Sequence, residues 1–227
     1  IMAPFPYLEA SMGFTLCVYV FETYLELRQY KLYQISERPK DLRHLISEKQ
    51  FQRAQDYNAD KAKFRMFKTV FVEVESFLLI MCLVYPFLWN GIPIWFGVSE
   101  DSELKRTLIF QGILMLASEV KGLPFSLYST FVIEERHGFK SQDLTFGLFF
   151  SDMAKQVLLT TIIGAPVMSA IILLIQLGGE WFYLYVWGFL LAFQFIMMFI
   201  YPTCIQPCFN KVEALPEGSL RTRIEDL

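Results

Sequence analysis

The stretch SLYSTFVIEERHGFKSQ, residues 126–142, passes from an apolar run directly into Glu134, Glu135, Arg136 and His137 and closes on Gly138. Two carboxylates, a guanidinium and an imidazole in succession are the groups from which acid–base or metal chemistry is assembled. Catalytic zinc needs three protein ligands and a nearby base, however, and His137 shares the chain with only one other histidine, His44, far away in sequence. Direct catalysis by His137 alone is therefore excluded as the simplest reading. Two others stay open: a polar helix stop completed by Gly138, and a brace or lining between membrane helices and a further domain.

A second set of polar residues lies at or within apolar stretches: Glu22, Glu73, Glu75, Glu119 and Lys121. An ionisable group facing lipid near the bilayer centre costs at least about 2.5 kcal/mol, so these side chains must face protein or water. They either pair across neighbouring helices and hold a bundle together, or line a water-filled cavity used for transport or for housing a substrate. Glu119 and Lys121 precede Gly122-Leu123-Pro124, where proline frees backbone carbonyls and permits a kink.

The four cysteines offer little chemistry. Cys17 and Cys82 fall inside apolar stretches, where a thiol behaves as a small apolar group. Cys204 and Cys208 form a C-x3-C pair interrupted by Pro207 and remote from either histidine, which reads as structural and indicates no disulfide framework.

The elements that position these residues follow from composition. Of 227 residues 54% are hydrophobic and 17% aromatic, with 23 Phe, and the mean hydropathy is +0.38. A soluble domain of this length has no need of so much apolar surface. Four segments, 69–89, 107–133, 153–177 and 181–201, are long enough to cross a hydrocarbon core of about 30 Å at roughly 20 residues each. A fifth, 5–27, is interrupted by Glu9 and Glu22 but lacks the basic start and small-residue cleavage site of a signal peptide, so it reads as a retained first span. The expected fold is all-α, a polytopic membrane helix bundle of five transmembrane helices with a helical basic loop.

That loop, 28–68, carries 11 basic against 5 acidic residues and is short enough to set orientation toward the cytoplasmic side. The polar loop 134–152 then falls on the same side, and Trp181, Tyr183, Tyr185 and Trp187 at an outer boundary. Ser47 and Gln50 stand at capping-box spacing, predicting a helix from there onward. The loop is a charged surface helix or hairpin, or a docking surface for anionic lipid or an acidic partner.

GLPFSLYSTFVIEERHGF at 122–139 closely resembles a signature segment of the type I CAAX prenyl proteases, integral-membrane zinc metalloproteases that process farnesylated proteins. FETYLELRQ at 21–29, IQLGGEWFYLYVW at 175–187 and IYPTCIQPCFNKVEALPEGSL at 200–220 resemble the same family in the same order, so the likeness covers essentially the whole chain. The resemblance implies an intramembrane chamber, for which Glu22, Glu73, Glu75, Glu119, Lys121, Glu134, Glu135, Arg136 and His137 are the chamber or domain-interface candidates. It also implies catalysis by zinc held in an H-E-x-x-H helix lying beyond the LPEG element, here residues 215–218. This chain contains no such motif, so neither a catalytic nor a metal residue is assigned in it, and zinc is expected only in a catalytic part supplied by other sequence. Two departures bear on that junction. Lys140 stands where the family usually has Asn, and Gln206-Pro207-Cys208-Phe209 where it has an APLF-like run.

The expected organisation is a first transmembrane helix at 1–27, the basic helical loop at 28–68, a four-helix membrane region at 69–209 and the start of a missing catalytic domain at 210–227. An amphipathic pattern at Leu220, Ile224 and Leu227 suggests a helix begun but not completed, so the chain reads as a fragment of a protease or as a shortened relative. Three functions stay open: the membrane half of a prenyl-peptide endopeptidase, a non-catalytic structural subunit, and a transporter built around the intramembrane charges. The expected partners are membrane lipid, a prenylated peptide, and a catalytic domain or other membrane subunits, with no nucleic acid. The resemblance implies the endoplasmic reticulum membrane, and a structural subunit would be free to reside in another organelle.

Overall fold

The structure, a computed structural model, describes residues 7–39, 44, 46–99, 101–141, 144–209, 218 and 221. The expected start of a catalytic domain and its amphipathic helix fall almost wholly outside these residues. Among the described residues there are helices and no strand. They fall into two units, Ile1–Thr145 and Phe146–Leu227.

In the first unit, α1 (Tyr7–Tyr33) packs against α2 (Glu48–Met81). The predicted capping box opens α2: the Gln50 amide donates to the Ser47 hydroxyl at 3.3 Å, and the Ser47 amide donates to the Gln50 side chain at 2.9 Å. No Gly or Pro interrupts residues 48–81, so α2 continues from the basic stretch into the apolar one without a break. The basic stretch 28–68 is thus the end of α1, a connection, and the N-terminal part of a membrane-entering helix. Side-chain amides on α2 close the end of α1, with Gln55 Nε2 donating to the carbonyls of Leu32 at 3.0 Å and Ile35 at 3.2 Å.

The predicted span 69–89 is broken. After Met81 the chain turns through Leu83, at φ 52°, and resumes as α3 (Val84–Phe96), bent 61° from α2. Pro86 explains the break, because within a continuous helix its ring would strike the carbonyl of Cys82, whereas in the first turn of α3 its missing N–H costs nothing. α3 ends at Gly97 in the left-handed region. Arg106 then fastens the next helix to it, its Nε and Nη2 donating to the Trp89 carbonyl at 3.0 and 2.8 Å while the guanidinium lies 4.2 Å from the Trp89 ring centre. α4 (Glu103–Tyr128) contains Pro124 and passes into a π-helical turn, Ser129–Glu134, and the short α5 (Glu135–His137).

The second unit is a helical pair, α6 (Phe146–Leu177) and α7 (Phe182–Ile200), joined by a 3-10 turn at Gly179–Trp181. A second π-helical turn, Tyr201–Ile205, holds Pro202 and leads into α8 (Gln206–Phe209).

The stretches Glu103–His137, Phe146–Leu177 and Gly179–Phe209 are long and apolar enough to cross a membrane, and the bent α2–α3 pair does so if taken as one span. α1, with Glu9, Glu22, Glu26 and Arg28, stands outside that set. Burial fits a lipid solvent: the buried apolar residues among those described are only Phe51, Ala62, Ile92, Ile133, Ile172 and Ile205, while Phe14, Leu177 and Met198 face outward. In water so large an apolar surface would demand a partner; in a bilayer it is the expected exterior.

Candidate functional site

One face of α2 gathers the cluster that ends α5. Arg53, Tyr57, Asp60, Lys61 and Phe64 follow helical spacing and so share a side. Asp60 Oδ2 is 3.1 Å from His137 Nε2 and 3.3 Å from Arg136 Nη1. Lys61 Nζ donates to the Tyr57 hydroxyl at 2.9 Å and lies 3.8 Å from Glu134 Oε1. Tyr57 meets the His137 ring edge-on at 5.5 Å and the Phe139 ring at 4.4 Å. The hydrogen bond with His137 is the main cause holding the Asp60 carboxyl below its ordinary range, and the Arg136 guanidinium adds to it. The Tyr57 hydrogen bond holds the Lys61 ammonium above its own.

The chain reverses here by a Schellman turn. Phe139 N–H donates to the Glu134 carbonyl at 2.8 Å and Gly138 N–H to that of Glu135 at 3.0 Å, with Gly138 at φ 72°. Arg53 closes the remaining acceptor, its Nη2 donating to the His137 carbonyl at 2.5 Å and its Nε at 3.2 Å. Lys140 donates to Glu135 at 3.0 Å and lies 4.9 Å from the Phe131 ring centre. Glu134, Glu135, Arg136 and His137 are therefore all joined, but to side chains and not to a common vacant centre. Sequence reading missed Arg53, Tyr57, Asp60 and Lys61; helical spacing puts them on one face of α2 but does not say what that face meets.

The other candidates divide. Glu75 and Lys121 form an ion pair at 2.8 Å between α2 and α4. Glu22 lines a cavity of ≈ 1190 Å³ between α1 and α2, whose walls include Glu26, Arg28 and Arg65. Inside it Arg65 Nε and Nη2 both donate to Glu26 Oε1, at 2.9 and 2.5 Å. Glu73 lines an adjoining, mainly apolar groove with Tyr19 and Phe77. Glu119 meets none of these partners among the described residues.

For a metal, among the described residues no three His, Cys, Asp or Glu side chains come together to hold one. His137 is engaged by Asp60, and Cys208 Sγ donates to the Cys204 carbonyl at 3.2 Å. These side chains do not fit zinc.

Helices with apolar exteriors, crossed by a few ion pairs and holding a cavity edged by charged side chains, define a polytopic integral membrane protein. The family described as CAAX prenyl protease N-terminal, five membrane helices, matches residues 29–211, and the chain belongs to it. That match begins within α1. The chain is 41% identical over 225 residues to the CAAX prenyl protease 1 homolog of Oryza sativa subsp. japonica, covering 98% of this chain and 52% of that protein. To the CAAX prenyl protease 1 homolog of Homo sapiens it is 35% identical, covering 95% of this chain and 46% of that one. The crystal structure of S. mikatae Ste24p superposes over 100% of this chain and 53% of its own at a TM-score of 0.86 and 28% identity. The chain spans about half the length of the curated relatives it matches.

Proposed function

We propose that this chain is the membrane half of a zinc endopeptidase acting on prenylated C-terminal peptides, and that it receives the peptide while another part of the protein cleaves it. The observation that carries this reading is the likeness along 98% of the chain to about half of a CAAX prenyl protease homolog, together with the match of residues 29–211 to the N-terminal membrane region of that family. The α1–α2 cavity supports it further, since Glu22, Glu26, Arg28 and Arg65 set charged groups that can solvate a peptide backbone into a wall that is otherwise largely apolar. On this reading Glu22, Glu73, Glu75, Glu119 and Lys121 face a hydrated chamber. The Glu134–His137 cluster, fixed by Arg53 and Asp60, holds the turn that borders the catalytic part. Zinc, when present in that part, would supply an activated water for amide hydrolysis. The reading places the protein in the endoplasmic reticulum membrane.

A split reconstitution tests it. The chain is co-expressed with the C-terminal half of the rice relative, and cleavage of a farnesylated CAAX peptide is followed in proteoliposomes. Restored cleavage supports the proposal. Assembly of the two halves without cleavage would instead favour a structural subunit.

A further inference from the structure

Where α2 enters its apolar stretch, a groove of ≈ 520 Å³ opens against α4 and the π-helical turn. Its floor is aromatic. Phe125 packs against Phe64 at 6.1 Å and Phe67 at 6.5 Å between ring centres, and Tyr128 against Phe64 at 4.8 Å. Phe67 nevertheless remains 63% exposed and Tyr128 44%.

Its polar end is cationic. Lys63 and Arg136 line the groove beside Asp60, and Lys68 Nζ lies 5.9 Å from the centre of the Phe125 ring that forms the floor. Asp60 is the sole carboxylate among the lining residues, and it is shared by His137 at 3.1 Å, Arg136 at 3.3 Å and Lys63 at 3.9 Å. The cations thus outnumber the charge that neutralises them, and Lys63 and Arg136 keep more than half of their side chains exposed.

We infer that this groove binds one anionic phospholipid, an acyl chain lying on Phe64, Phe67, Phe125 and Tyr128 and the headgroup phosphate held by Lys63, Lys68 and Arg136. Three features choose a lipid over a soluble anion. The apolar floor of Phe64, Phe67, Phe125 and Tyr128 lies directly beside Lys63 and Arg136 in one groove, as an acyl chain adjoins its phosphate. Tyr128, half-exposed with an apolar ring and a polar hydroxyl, is the kind of side chain favoured at the bilayer interface. The basic stretch from which Lys63 and Lys68 come also marks the cytoplasmic side, whose leaflet carries the anionic lipids. The site does not depend on the protease reading, because its partner is the bilayer itself.

Native mass spectrometry of the full chain, released from nanodiscs of equal phosphatidylserine and phosphatidylcholine, tests the inference. One retained phosphatidylserine per chain is expected. Its preference over phosphatidylcholine should fall roughly fivefold for each cation removed in Lys63→Gln, Lys68→Gln and Arg136→Gln. Lys49→Gln, in the same basic stretch but off the groove, should leave the preference unchanged. Because Arg136 also braces the turn, the Lys63→Gln/Lys68→Gln pair must show the loss by itself. A phosphatidylserine with a photoreactive acyl chain should cross-link to the segments 64–67 and 125–128. Equal retention of both lipids, a preference untouched by the double variant, or cross-links elsewhere would overturn the site. Displacement by glycerophosphoserine alone would make it a soluble-anion site, and displacement by a farnesylated peptide would make it a substrate groove; either outcome refutes the lipid assignment.

Discussion

Asp60 Oδ2 lies 3.1 Å from His137 Nε2, and through that contact the middle of α2 grips the turn that follows α4 and α5. The groups facing the carboxylate are His137, Arg136 and Lys63, with the Lys61–Glu134 pair alongside. Its folded pKa is depressed, chiefly by the His137 hydrogen bond. Its stabilising contribution is therefore present above the unfolded value and is lost as pH falls through the folded one, a window that opens below about pH 4. Asp60→Asn should lower stability in detergent by about 1–2 kcal/mol at pH 7. Thermal melts at descending pH should show the gap between variant and parent closing in that window. A gap that stays constant down to pH 3 would mean the carboxylate is not what Asp60 contributes.

Gly138 carries two demands at once. Its φ of 72° suits glycine, and a Cβ there would stand 2.6 Å from Arg53 Nη2. Gly138→Ala should cost about 1–2 kcal/mol from backbone strain and also displace the guanidinium from the His137 carbonyl. In an Arg53→Ala background the second part has already been lost, so the glycine substitution should cost less there. Equal costs in both backgrounds, measured by chemical denaturation, would show that Arg53 does not hold the turn.

The contact between Arg53 and the His137 carbonyl also fixes sidedness. Cysteines introduced at Gln52 and Ser141 in oriented vesicles should react with an impermeant thiol reagent from the same face. Labelling from opposite faces would separate the two segments that Arg53 is seen to join.

Much of this was legible in the sequence, and the reasons differ by element. The spans 107–133, 153–177 and 181–201 were plain because apolar runs of that length have no other use, and helices cover all three. The capping box at Ser47 and Gln50 was readable because it depends on residues three apart. The break at Leu83 was missed although Pro86 announced it, since hydropathy averages over a proline that stereochemistry does not forgive. The pairing of Glu134, Arg136 and His137 with residues of α2 was not readable at all. It spans more than 70 positions, and nothing local selects Lys61 or Asp60 from the other charges of the basic stretch.

The purified chain is expected neither to bind stoichiometric zinc nor to cleave a prenylated peptide. Zinc needs three ligands with open geometry, and His137 is already held by Asp60 and packed against Tyr57. Metal analysis after gel filtration should find less than one equivalent. One tightly held zinc per chain, lost on His137→Ala, would overturn both expectations.

Glu119 and Lys121 give the sharpest test of a hydrated chamber, because the structure treats them differently. Lys121 has a partner, Glu75 at 2.8 Å across the α2–α4 contact, while Glu119 has no ion pair among the described residues. Two residues apart on one helix, they point in different directions. If water reaches Lys121 and Glu75, each charge keeps its solvation when the other is removed, and Lys121→Met should cost no more than about 0–1 kcal/mol. If the pair is dry, the same change strands Glu75 and the cost rises to about 3–5 kcal/mol. The Lys121 side chain is 42% exposed and that of Glu75 25%, which favours the first outcome wherever this face meets water and not lipid. Glu119→Gln and Lys121→Met should each remain folded in detergent, and a cysteine at position 119 should react with a small water-soluble thiol reagent. A Glu75→Gln/Lys121→Met double variant more stable than either single one would identify a dry pair. Coupled with an unreactive cysteine at 119, that result would leave α4 a polar seam within a solid bundle and remove the physical basis for a substrate chamber beside it.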